Sequence, residues 1–86
     1  MKDKWTLKNR VRELRARLGF RQSDLAREVG LTRQSIIAIE KGRISPSVAV
    51  ALHIARVLRE PVEYVFYLER AEWNEEPRAI VDFEGF

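Results

Sequence analysis

The side chains best equipped for chemistry are Arg33 and Gln34, followed by Ile37, Ala38 and Lys41 in the run RQSIIAIEK. Read at helical spacing, Ile36 and Ile39 define a buried side, which leaves Arg33, Gln34, Ile37 and Lys41 on the opposite surfaces. A guanidinium can bridge the two acceptors on the edge of a guanine, and a carboxamide can pair bidentately with adenine. Ile37 and Ala38 cannot donate hydrogen bonds, but they can pack on a thymine methyl. Hydrolytic or redox chemistry has no comparable set. The only histidine, His53, sits between Leu52 and Ile54, and the chain has no cysteine. Neither a metal site nor a nucleophile–base pair can be assembled, so the chain reads as a non-enzyme without a cofactor.

The elements that must position Arg33 and Gln34 are legible on both sides. Leu25, Ala26 and Val29 repeat at helical spacing, Gly30 interrupts, and Thr32 is placed to cap a second helix. The turn needs a residue that tolerates positive φ, which Gly30 supplies. Two helices crossing steeply also need a small residue where their backbones approach, and Ala26 suits that place. Helices at about Gln22–Val29 and Arg33–Lys41, joined this way, make a helix-turn-helix, whose second helix is short enough to enter a DNA major groove.

Around this pair the spacing predicts three more helices. Asn9–Leu18 places Val11, Leu14 and Leu18 on one face, and Gly19 ends it. Ser47 caps a fourth helix whose core face reads Val48, Ala51, Leu52, Ala55 and Leu58. Pro61 opens a fifth, to about Glu69, with Val62, Val65 and Phe66 inward. The fold class is all-α. Beyond it, the tail carries Trp73, a polar turn at Asn74–Pro77, and a short strand over Ala79–Phe83.

Charge divides the chain in the same place. Residues 1–68 hold 14 Lys/Arg against 7 Asp/Glu, whereas residues 69–86 hold 2 against 6. A basic body suits a polyanionic partner through counterion release. No apolar run approaches the ~20 residues that span a bilayer, and nothing resembles a signal peptide, so a cytoplasmic location and no membrane partner are expected.

Residues 9–68 resemble the Cro/cI-type helix-turn-helix domain of the XRE family of regulators. The resemblance rests on R-x-x-x-G from Arg15, Q-x-x-L-A from Gln22, V-G at Val29, R-Q-S-I from Arg33, I-E-x-G from Ile39, and P-S at Pro46. It implies a five-helix lambda-repressor-like DNA-binding domain over residues 1–69, followed by the tail, 70–86. It implies base contacts from Arg33, Gln34, Ile37 and Ala38 on double-stranded DNA. Phosphate contacts are implied for Gln22, Thr32, Lys41 and Arg43, and Arg10, Arg21 and Ser47 are further candidates. It also implies that Arg15 and Glu40 form a buried ion pair tying the first helix to the third. Arg21 stands where the family usually has a Ser or Thr cap, and Arg59 replaces a frequent Gly or Asn.

A single small domain makes too few base contacts to select one genomic site, so a homodimer reading two half-sites is expected. Tyr64, Tyr67, Trp73, Ile80 and Phe83 are the candidate interface residues. The resulting expectation is a transcriptional regulator, most simply a repressor acting by occupancy. The alternative is an antitoxin-like or adaptor protein that holds a protein partner through its acidic, aromatic tail.

Overall fold

The computed structural model describes residues 4–70, which form seven elements: β1 (Trp5–Asn9), α1 (Val11–Arg17), α2 (Gln22–Val29), α3 (Arg33–Glu40), α4 (Val48–Leu58), α5 (Val62–Val65) and β2 (Phe66–Arg70). The five expected helices are present, and α2, α3 and α4 begin at the residues predicted. Trp73, Ile80, Phe83 and the expected strand over Ala79–Phe83 lie outside the described residues.

One core holds the helices together. Val11 and Leu14 of α1, Leu25, Ala26 and Val29 of α2, Ile36 and Ile39 of α3, Ile54, Ala55 and Leu58 of α4, and Val65 and Phe66 are all buried. Ala26 is 4% exposed, as its place at the crossing of α2 and α3 requires.

Three features depart from the helical reading. The fifth helix is one turn long, because the chain becomes extended at Phe66 (φ −123°, ψ 133°). Residues 66–70 instead pair antiparallel with β1, in the register Trp5↔Arg70 to Asn9↔Phe66. Tyr67 and Leu68 can follow either geometry, and pairing with Lys8 and Leu7 of β1 decides between them. A long-range pairing of this kind leaves no local periodic signal.

The first helix starts at Val11, not Asn9. Asn9 ends β1, and its Oδ1 accepts the Val11 N–H at 3.0 Å. The core face of α4 is also rotated from the expected one. Val48 and Leu52 are 76% and 52% exposed, while Ile54 joins Ala55 and Leu58 inside. VAVALHIARVL is apolar nearly all round, so the 3.6-residue period does not fix its phase.

Candidate nucleic-acid interface

The α2–α3 unit is set by its ends. Gly30 takes φ +75°, and the Leu31 N–H reaches back to the Ala26 carbonyl at 2.9 Å, closing α2 in a left-handed cap. Two residues later the Thr32 Oγ1 accepts the Ser35 N–H at 3.1 Å and starts α3. Capping of this kind stabilises a helix by about 1 kcal/mol. Arg21, at the cap position of α2, has no side-chain acceptor to offer. Asp24 compensates from the first turn: its Oδ2 accepts the Arg21 N–H at 2.8 Å and Arg21 Nε at 3.2 Å. Those bonds, the side-chain one first, hold the Asp24 carboxyl below its ordinary range and raise the Arg21 guanidinium.

The far end of α3 is anchored by a polar cluster drawn from three helices. Arg15 Nε donates to Glu40 Oε2 at 2.7 Å, and its Nη2 to Oε1 at 3.3 Å. Gln22 Nε2 donates to the same Oε1 at 3.2 Å, and Arg15 Nη1 to the Phe20 carbonyl at 2.9 Å. The Glu40 side chain is 4% exposed and that of Arg15 13%. A carboxylate so buried is tolerable because three donors surround it. Asn9 Nδ2 adds a bond to the Ile39 carbonyl at 3.0 Å, so the β1–α1 junction also grips the end of α3.

Held at both ends, α3 turns Ile36 and Ile39 into the core and leaves Arg33 and Gln34 exposed, with Ile37 and Ala38 half-buried. Arg33, Ile37 and Lys41 form one wall of an open groove of about 650 Å³, and Arg12, Arg21 and Gln22 stand among its other walls. Gly42, at φ +74°, then closes α3, with the Arg43 N–H on the Ala38 carbonyl at 2.9 Å.

Most of the residues expected in the interface therefore gather around α3, but not all. Thr32, Gln34 and Arg43 are exposed at its two ends without lining the groove, and Ser47 caps α4 by accepting the Val50 N–H at 3.1 Å. Arg10 is engaged elsewhere. Its guanidinium lies 4.4 Å from the Tyr64 ring centroid and 4.2 Å from that of Tyr67, and it donates to the Tyr64 carbonyl at 2.6 Å. That clamp fastens the start of α1 to the α5–β2 junction and leaves Tyr64 39% exposed. Arg12 and Ser23 line the groove without being among the expected residues. For Arg12 a signal existed, since it lies one helical turn before Arg15 on the side of α1 that meets α3.

Comparison with known proteins agrees with this geometry. A family model described as helix-turn-helix matches residues 11–65, from the start of α1 to the end of α5. The chain belongs to the helix-turn-helix family of transcriptional regulators. This helix-turn-helix protein is 49% identical over 63 residues to YgzD, an uncharacterized HTH-type transcriptional regulator of Bacillus subtilis; the match covers 73% of this chain and 96% of YgzD. It is 55% identical over 60 residues to an uncharacterized HTH-type transcriptional regulator of Methanothermobacter thermautotrophicus, covering 69% and 87% of the two chains. Among solved structures it resembles a hypothetical transcription factor, NHTF, from Neisseria, with a TM-score of 0.57 and 29% identity. That match covers 60% of this chain and 58% of the Neisseria chain.

Proposed function

We propose that this protein is a sequence-specific double-stranded DNA-binding regulator that reads the major groove with α3 and represses by occupying its operator. The observation that carries the reading is an α3 whose outer side presents Arg33 and Gln34 beside a cation-walled groove, while Arg15, Gln22 and Asn9 fix its far end. An interface that must enter a groove of fixed width needs such a rigid projection. Arg33 and Gln34 are the proposed hydrogen-bonding readers, and Ile37 and Ala38 the apolar contacts. Gln22, Thr32, Lys41, Arg43, Arg21 and Ser47 are proposed to meet phosphates. Arg10 drops from that set, being spent on its tyrosine clamp.

The regulator is proposed to act in the cytoplasm as a homodimer, since one α3 offers too few base contacts for a unique site. Val48, Leu52 and Tyr64 are exposed large apolar side chains that a dimer would cover. The reading unit is taken as residues 1–69, with the tail, 70–86, as a separate segment.

Selection from a randomised duplex library tests the reading. Wild type should recover a motif with two-fold symmetry, with half-sites about one helical turn apart. Arg33→Ala should fold normally yet lose preference at one base pair per half-site, a discrimination of about 1–3 kcal/mol. An unchanged motif from the variant would remove Arg33 as a reader.

A further inference from the structure

A second open groove adjoins the first. Thr6, Lys8 and Asn9 of β1 line it together with Tyr67 of β2, and Glu40 and Lys41 belong to both grooves. The two therefore meet at the end of α3, and between them they reach from the cap of α2, past α1, to the terminal sheet. Besides Arg33 and the Glu40-paired Arg15, four cations from four segments line the two: Arg21, Arg12, Lys41 and Lys8. All four residues are exposed. The one carboxylate common to both grooves, Glu40, is nearly buried and already neutralised by Arg15, so it does not offset the row. Arg21 and Lys8 carry surface partners, Asp24 and Glu69, whereas Arg12 and Lys41 pair with no carboxylate among the described residues. A surface walled mainly by cations attracts a polyanion.

We propose that the terminal sheet is part of the DNA interface, with Lys8 of β1 and Arg12 of α1 extending the phosphate contacts beyond the helix-turn-helix itself. The proposal rests on the reading of α3 as the DNA-facing helix. Asn9 makes it mechanically coherent, because the residue that ends β1 also bonds the Ile39 carbonyl of α3, fixing the strand relative to the reading helix. Lys8 Nζ lies 3.8 Å from Glu69 Oε1 on the neighbouring strand, and the Lys8 side chain is 48% exposed. A surface pair that loose leaves the ammonium available to a phosphate.

The test is fluorescence anisotropy of a labelled 24-base-pair duplex of fixed sequence with the full chain, titrated across a salt series from about 50 to 200 mM. Variants are Lys8→Ala, Arg12→Ala and Glu69→Gln, with Arg56→Ala, an exposed cation of α4 outside both grooves, as control. Thermal unfolding of each variant checks that it is folded. Lys8→Ala and Arg12→Ala should each weaken binding about three- to tenfold and lower the salt slope by about 0.9 per protomer. Glu69→Gln should leave binding unchanged or tighten it, and Arg56→Ala should do nothing. Glu69→Gln weakening binding in step with Lys8→Ala would show that the pair merely holds the sheet, and would overturn the proposal. So would wild-type affinity and slope in the Lys8 and Arg12 variants, which would still leave α3 as the reader. Failure of wild type to bind duplex at 50 mM salt would remove both readings together.

Discussion

The ion pair at the root of α3 yields the largest predicted stability effect. Glu40 accepts three hydrogen bonds, two from Arg15 and one from Gln22, with its side chain only 4% exposed. Arg15→Met keeps most of the aliphatic volume but removes both donors to Glu40, and the bond to the Phe20 carbonyl with them, stranding a buried carboxylate with one amide partner. Breaking one side of such a pair costs about 3–5 kcal/mol. Against a total stability of about 4–13 kcal/mol for a chain of this length, at ~0.05–0.15 kcal/mol per residue, that is a large fraction. At about 4–8 °C per kcal/mol, Tm should fall by roughly 12–40 °C. The double variant Arg15→Met, Glu40→Leu strands no charge and should recover most of the loss. Urea and thermal unfolding followed by circular dichroism measure all three proteins. An Arg15→Met cost below about 1 kcal/mol, or a double variant no better than the single one, would refute the reasoning. The double variant should also bind DNA more weakly than its stability suggests, because α3 has lost its fixed end.

Further predictions concern the remaining ends and caps. Arg59 caps α4 at φ +64° and is the only non-glycine with positive φ among the described residues. Arg59→Gly should therefore stabilise by about 0.5–1 kcal/mol, seen as a higher urea midpoint at unchanged slope, whereas a lower midpoint would contradict the strain assigned there. Asp24, with its carboxyl held below its ordinary value by the Arg21 bonds, contributes stability that is complete above that value and lost as pH falls through the depressed one. The Tm difference between wild type and Asp24→Asn should accordingly shrink on acidification from about pH 6 to pH 2, and parallel Tm curves would be the contrary result.

Much of this architecture was legible from local signals. Gly30 and Thr32 marked the turn, Ile36 and Ile39 set the phase of α3, and Ser47 marked the start of α4. The Arg15–Glu40 pair followed from family resemblance, and its geometry agrees. What escaped depends on contacts distant in sequence. The extended path after Phe66 is decided by β1, and the engagement of Arg10 by Tyr64 and Tyr67, 54 and 57 positions later. The rotated face of α4 escaped for a different reason, because a helix apolar on all sides carries too little contrast to fix its orientation. Lys8 belongs with the escaped contacts, because its place beside the end of α3 is set by the β1–β2 pairing, whereas Arg12 sits one helical turn before Arg15 and was within reach of local spacing.

Whether α3 occupies the major groove is tested most directly by dimethyl sulfate footprinting on a selected duplex. The reagent methylates guanine N7, which faces the major groove, and adenine N3, which faces the minor one. Bound wild type should protect guanine N7 within each half-site and leave adenine N3 reactive there. Arg33→Ala, at concentrations that restore occupancy, should re-expose one guanine per half-site. Full N7 reactivity under saturating wild-type protein would contradict the account.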